Sequence, residues 1–152
     1  MGVITAAFIF YIVASWGWYW VEQWRGQKQV EQLTQSLKQW EEEQYQAALA
    51  DTFGGKTPQE TLQMYIAAVE KGDYELASRY LIENKREKEV VELRALAQKN
   101  NLVWYLDILK NVEPDDGILN DNFRMKSKTK EGPYYFVRFI KYPNGIWKII
   151  EI

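Results

Sequence analysis

The chain has 152 residues, with 19 Lys and Arg against 21 Asp and Glu, and it contains neither His nor Cys. The missing Cys excludes disulfides, thiolate nucleophiles and Cys-ligated metal sites, and the missing His excludes the commonest general base and metal ligand. The formal charge of −2 gives the whole chain no attraction to nucleic acid. We therefore expect no metal, no cofactor and no nucleic-acid partner.

The first 21 residues contain no charged side chain. A helix over residues 2–21 would be about 30 Å long, which matches the hydrocarbon core of a bilayer. Aromatic side chains typical of a membrane–water interface crowd the far end of this segment: Trp16, Trp18, Tyr19, Trp20 and Trp24. A cleaved signal peptide would need a basic start and a small-residue cleavage site, and a soluble core helix would need no such aromatic cluster. We predict a transmembrane anchor over residues 1–21.

Residues 22–56, here called the stalk, are polar and rich in Gln and Glu before they reach Gly54 and Gly55. Four apolar residues spaced by 3, 4 and 3 positions predict one seam of a helix: Val30, Leu33, Leu37 and Trp40. The next positions in this register are Gln44 and Ala47, so the seam fades after two heptads. We expect a stalk helix that packs its seam against the following domain or pairs with another copy.

The clearest local signal is the run Thr57-Pro58-Gln59-Glu60, a capping box in which Glu60 reaches back to the Thr57 N–H. The helix that it starts ends at Gly72. This helix is expected to bury one face, made of Leu62, Tyr65, Ile66 and Val69.

Two further helices are predicted before residue 100. Asp73 caps a short one, and the next begins in the charged run 83–89. The second of these is expected to bury Val90, Leu93 and Leu96 or Ala97. Its pairs Lys85–Glu89 and Lys88–Glu92 have the i, i+4 spacing of a solvated helix face.

The rest of the chain changes to strand patterns. Residues 102–106 are compatible with a strand or a helical turn, because periodicity does not separate the two. From Phe123 onward apolar or hydroxyl side chains alternate with basic ones, which predicts a strand. The Pro143-Asn144-Gly145 turn joins a strand at 134–140 to a closing strand at 146–150. Helices followed by antiparallel strands indicate an α+β fold.

The opening TPQETLQMYIAAVEKGDYELASRYL and the closing NGIWKIIEI resemble the nuclear-transport-factor-2-like, or cystatin-like cone, superfamily, and within it the small bacterial membrane-anchored members. The resemblance covers residues 57–152 and implies three helices packed on a curved antiparallel sheet. Enzymes of the superfamily use an Asp, often with His or Tyr, in the cone cavity. This chain has no His and no acid that matches the catalytic position, so the resemblance implies a non-catalytic domain.

Two kinds of residue are candidates for a ligand site in that cone. Aromatic side chains of the strands could line a pocket or simply fill the core: Tyr134, Phe136, Phe139, Tyr142 and Trp147. Asp107 lies within an apolar run, where loss of solvent could make it a general base, although a surface acid at the edge of that run is the simpler interpretation.

Two charged patterns have structural interpretations that we prefer. Alternate basic residues could meet phosphate, but they are more typical of a guarded sheet edge: Arg124, Lys126, Lys128 and Lys130. Three acids around Gly117 do not have the spacing of a calcium loop and indicate a turn: Asp115, Asp116 and Asp121.

The sequence therefore predicts three segments: an anchor (1–21), the stalk (22–56) and an α+β domain (57–152). We expect a single-pass membrane protein whose non-catalytic domain binds a protein partner or small ligand at the cell envelope. The alternatives are an assembly scaffold of a membrane (secretion-type) complex that self-associates through the stalk, and a small lyase or isomerase that uses the cone cavity with Asp107 as its acid. Arg25, Lys28 and Lys38 favour a cytoplasmic domain by the positive-inside rule. The resemblance favours an extracytoplasmic domain, which is our prediction.

Overall fold

The computed structural model describes residues 30–115, 122–127 and 134–152. Its helices all precede its strands, which confirms the predicted α+β order. Helix α1 occupies residues 30–50 of the described part. The remaining elements are α2 (Pro58–Glu70), α3 (Tyr74–Arg79), α4 (Glu83–Gln98), α5 (Leu102–Lys110), β1 (Val112–Pro114), β2 (Asn122–Ser127), β3 (Phe136–Lys141) and β4 (Trp147–Glu151).

The four strands form one antiparallel sheet in the order β1-β2-β3-β4, so the sheet is open. The chain divides into two compact units, residues 1–46 and 47–152. The second unit contains the sheet, helices α2–α5 and the last turn of α1. No helix in the described ranges combines the length and the apolar character that crossing a bilayer requires. The predicted anchor, residues 1–21, lies outside those ranges.

Helix α2 forms as its pattern predicts, and its four expected core residues are all buried. The Thr57 hydroxyl accepts a hydrogen bond from the Glu60 N–H at 3.1 Å, as in a capping box. The other half of the predicted box is wrong. The Glu60 carboxylate accepts from the Lys56 N–H at 2.7 Å, since the chain at Gly55 lies against the Glu60 side chain and brings the preceding N–H within reach.

Residues 102–110 form a helix, so four helices of the domain precede its sheet and not the three that the resemblance implied. Leu106 and Leu109 are buried while Val103 and Trp104 are exposed. This spacing of buried positions is helical, and it places α5 with one face on the core. The apolar run was ambiguous because its exposed face also carries apolar residues.

The core lies between the helices and the inner face of the sheet. Alternate residues of β2 and β3 face it, with Met125 directly opposite Val137 in the ladder. The other buried apolar side chains of the cluster are Leu62, Tyr65, Ile66, Ala68, Val69, Ala77, Leu81, Leu93, Leu106, Leu109, Phe139 and Ile149.

The Gly54-Gly55 segment brings the chain against β4. The Trp147 N–H donates to the Gly55 carbonyl at 2.9 Å. A Cβ atom on Gly54 would lie 2.4 Å from the Trp147 carbonyl oxygen, which is inside van der Waals contact. Gly54 is therefore required by close backbone approach, whereas a side chain at Gly55 would meet the Glu60 side chain.

Lys148 is fully buried, on β4, and its ammonium group is saturated with acceptors. Nζ donates to the Asp51 carboxylate at 2.9 Å, to the Phe53 carbonyl at 2.8 Å and to the Arg79 carbonyl. Arg86 pairs with the same carboxylate oxygen of Asp51 at 2.7 Å. Burial lowers the pKa of Lys148, and the bond to Asp51 opposes that shift. Burial alone would raise the pKa of Asp51, but the Lys148 hydrogen bond and the two cations hold it below its usual value.

The last turn of α1 is completed by the β3–β4 turn. The Asn144 side-chain amide donates to the carbonyls of Ala48 at 3.0 Å and Asp51 at 2.6 Å. A helix C-terminus leaves its last carbonyls without partners, and a side chain from elsewhere can satisfy them. Asn144 and Lys148 together join residues 48–53 to the sheet.

We predict that Lys148→Met lowers the free energy of unfolding by about 3–5 kcal/mol, because the Phe53 and Arg79 carbonyls lose their buried donor and Asp51 keeps only Arg86 as a cationic partner. Denaturant unfolding of the full chain, followed by circular dichroism, measures this loss. Lys141→Met, at an exposed position of β3, is the matched control and should change the unfolding free energy by less than about 0.5 kcal/mol. Equal effects of the two variants would contradict the assigned role of Lys148.

Candidate functional site

A groove of about 370 Å³ opens between α2, α5 and the first two strands. Its apolar surface is formed by Leu62, Ile66, Ala67, Leu109, Val112, Pro114 and Met125. Its polar rim consists of Gln59, Gln63, Glu70 and Lys110. The volume falls within the range of small-molecule sites and equals that of about a dozen waters.

The periodicities of three elements bring the groove residues together. Leu62 and Ile66 are one helical turn apart on α2 and therefore share a face. Val112 and Pro114 are two residues apart on β1 and share a side of that strand. Met125, directly opposite Pro114 in the ladder, extends the same surface onto β2. The groove exists because α2 packs over the sheet without covering its β1 side.

The rim supplies a small number of polar groups. Gln59 and Gln63 lie one turn apart on α2, and their amides can donate and accept hydrogen bonds. Lys110 pairs with Glu70 at 2.5 Å, and both side chains are about half exposed. Such a pair contributes little stability in water. The groove therefore offers an apolar surface with neutral amides along one side and one ion pair on its rim.

The structure divides the five aromatic pocket candidates between different places. Phe139 and Trp147 both contact Phe123, at ring-centroid distances of 6.3 Å. Tyr134 and Phe136 contact each other at 6.4 Å and are exposed. Tyr142 instead lies beside the Lys148 ammonium, 5.8 Å from ring centroid to Nζ. The groove lining includes none of these five side chains.

Asp107, the acid singled out by its apolar surroundings, is exposed on α5. Its carboxylate accepts a hydrogen bond from the Asn111 side-chain amide at 3.3 Å. Like the aromatic candidates, it does not line the groove. The predicted interface aromatics, Trp16 to Trp24, lie outside the described residues.

The two charged patterns of the β1–β2 region come together. Asp115 forms ion pairs with Arg124 and, at 3.0 Å, with Lys126. These two cations hold the pKa of Asp115 below its usual value. In the described part of the chain no three acidic side chains are grouped so that they could hold a metal ion. Lys128, Lys130, Asp116 and Asp121 lie outside that part.

Glu89 is a buried carboxyl, although the sequence pattern predicted it on the solvated face of its helix. Glu89 is 8% exposed on α4 and accepts a hydrogen bond from the Tyr65 hydroxyl. The Tyr105 hydroxyl lies 2.8 Å from that of Tyr65. Of the two predicted surface pairs, Lys88–Glu92 forms at 3.1 Å. The available signal was that Glu89 lies one turn before buried Leu93 and so shares its face.

Burial dominates the chemistry of this Tyr65–Glu89–Tyr105 cluster. It raises the pKa of Glu89, although the Tyr65 hydrogen bond opposes the shift. It also raises the pKa of both tyrosines, so they stay protonated and act as hydrogen-bond donors. The groove lining contains none of the three, so the cluster joins α2, α4 and α5 away from the groove.

No family model, curated protein or solved structure matches this chain. The groove and the two buried polar clusters therefore rest on their own geometry. Among them, the groove alone combines open space with unsaturated polar groups, because the donors of Lys148 and the hydroxyl of Tyr65 are already engaged.

We predict that Glu89→Gln makes the fold more stable than the native chain as the pH rises. A carboxyl whose pKa is raised by folding stabilises the fold below its unfolded pKa and loses that contribution as the pH rises through the folded pKa. Gln keeps an acceptor for Tyr65 and carries no charge. The two proteins should have similar unfolding midpoints near pH 4, and the Glu89→Gln variant should have the higher midpoint at pH 8.

Glu87→Gln, two residues away on the exposed side of α4, is the control for this pH series. It should follow the native midpoint at every pH. A Glu89→Gln profile parallel to the native one from pH 4 to 8 would show that the Glu89 pKa is not raised.

Proposed function

We propose that this protein is a membrane-anchored, non-catalytic domain that binds a small, largely apolar ligand in the α2–α5–β1–β2 groove. The groove carries the proposal, since seven apolar side chains surround about 370 Å³ beside a rim of two amides and one ion pair. Sites of this composition bind molecules by apolar contact and orient them with a few polar groups. The volume favours a small molecule, and the Gln59 and Gln63 amides can orient it by hydrogen bonds.

The absence of a catalytic assignment rests on the nature of the side chains. A general base must lie within hydrogen-bond reach of its substrate. Within the described residues, the groove-lining acid is Glu70, which is paired with Lys110 and half exposed. Glu89 is buried among tyrosines and does not line the groove. Binding therefore explains the groove better than acid–base chemistry does.

The anchoring part of the proposal is supported by the sequence. The charge-free residues 2–21 have the length of a bilayer core, and interfacial aromatics crowd the far end of this segment. The resemblance to anchored members of the nuclear-transport-factor-2-like superfamily supports an extracytoplasmic domain. A ligand at the cell envelope is the corresponding proposal.

We predict that indole, an apolar probe with one N–H donor, binds the groove saturably. The chain has three methionines, so ¹³C-methyl labelling gives few signals. Met125 lines the groove, whereas Met64, also on the domain, does not. In a titration of the full chain, the Met125 methyl should shift and saturate while Met64 stays constant.

Ala67→Trp should block this binding, because Ala67 lines the groove from the exposed side of α2. We expect the indole affinity to fall at least tenfold, a loss of about 1.4 kcal/mol. Val91→Trp is the matched control, since Val91 is 62% exposed on α4 and away from the groove. The groove is not the site if the Met125 methyl shift stays constant as indole is added. An unchanged indole affinity in Ala67→Trp would also refute the groove as the site.

The membrane anchor has its own test. Full chain should remain in membranes washed with alkaline carbonate, and a variant lacking residues 1–21 should be released. Protease added to intact cells should digest the domain, whereas digestion only in everted vesicles would place it in the cytoplasm. Loss of the full chain from washed membranes would contradict anchoring without affecting the indole experiment.

A further inference from the structure

We infer that α1 is an interaction surface for a second copy of this chain, paired in parallel and in register along the seam Val30, Leu33, Leu37 and Trp40. The first observation is the exposure of the seam: each of the four side chains is between 53% and 64% exposed. Large apolar side chains repeated along one helix stripe are covered in most proteins. Here the described residues leave the whole stripe open.

The spacing of the seam fits a partner of the same kind. In heptad notation Val30 and Leu37 take position a, and Leu33 and Trp40 take position d. This pattern is self-complementary, because a and d residues of one helix pack into the spaces of an identical facing helix. A symmetric pair needs only one such stripe on each copy.

Gln44 fixes the direction and register of the pair. It occupies the next a position after Leu37. In a parallel, in-register pair, Gln44 faces Gln44 of the other copy and the two amides can hydrogen-bond, as polar a residues do. An antiparallel pair sets Gln44 against an apolar residue, Leu33 or Trp40, or leaves Gln44 outside the seam. Parallel pairing therefore keeps every seam residue with a matching neighbour.

The flanking charges permit this arrangement. In a parallel pair, position g of one helix faces the following position e of the other. Here Ser36 faces Glu41, and Glu43 faces Ala48, so no two like charges meet across the seam. The acidic residues Glu41, Glu42 and Glu43 keep the rest of the surface hydrated.

Two heptads alone give a weak pair, and confinement of both copies to one membrane raises their effective concentration. The inference rests on the proposed function for this one point, the anchor, and it is independent of the groove. Both helices would then start from the same membrane side, which also favours the parallel direction.

Site-directed disulfides test the pair directly, because the native chain has no Cys. We expect Leu37→Cys and Val30→Cys to form disulfide-linked dimers in oxidised native membranes. Gln35→Cys, on the opposite side of the same helix, is the matched control and should link at least tenfold less. Val30 reports direction, since an antiparallel pair sets the two Val30 residues about 15 Å or more apart along the axis.

Equal linking at positions 35 and 37 would indicate random collision and overturn the inference. Linking at position 37 without position 30 would overturn the parallel register. Absence of linking at both seam positions would assign the seam to another occupant, such as lipid or the domain of the same chain. All these variants change exposed residues, and recovery of each protein in the washed membrane fraction separates a failed anchor from a failed pair.

Discussion

The buried ammonium group of Lys148 is the constraint on which the architecture of the folded domain depends. A fully buried cation is costly unless each of its donors has a partner. Lys148 meets this requirement with three acceptors from two separate stretches: Asp51, Phe53 and Arg79. The ends of α1 and α3 must therefore both reach β4. Once they do, the Gly54-Gly55 segment is held against the same strand.

This arrangement explains why the groove lies where it does. The β4 edge of the sheet is covered, because Ile149 exchanges hydrogen bonds with Tyr80 and Ile82 and Trp147 bonds to Gly55. The β1 edge has only three residues, one of them Pro114. The helices thus close one side of the sheet with backbone contacts and leave a side-chain-lined opening at the other. The same packing of the helices therefore buries Lys148 at β4 and leaves the groove open at β1.

The sequence predicted those parts of the fold that depend on neighbours along the chain. Helix α2 is an example, because Thr57 and Pro58 mark its start and its apolar residues recur with helical period. Helix α5 was undecided, since Val103 and Trp104 are apolar but exposed and hide the period. Pairing and burial between distant residues had no local signature. The sequence of β4 gives no sign that Lys148 is buried. Met125 and Leu62 line the same groove only because the sheet and α2 pack together.

The candidate site shows the same limit more sharply. The aromatic residues of the strands were pocket candidates because they are large. The groove is instead lined by aliphatic side chains and by Met125. Glu89 appeared to belong to a surface charge run, and only tertiary contacts reveal Tyr65 beside it. Residue type and spacing thus predicted helices and strands. The groove depends on the packing of α2, α5, β1 and β2, which neither residue type nor spacing predicts.

The Asn144 bond to the end of α1 has a consequence for the order of events during synthesis. The carbonyls of Ala48, Leu49 and Asp51 precede their donor by 93 to 96 residues along the chain. At typical translation rates the ribosome needs about 5–20 s to make that length. During this interval the three carbonyls lack their Asn144 donor. The final turn of this helix is therefore completed only after the β3–β4 turn has been made.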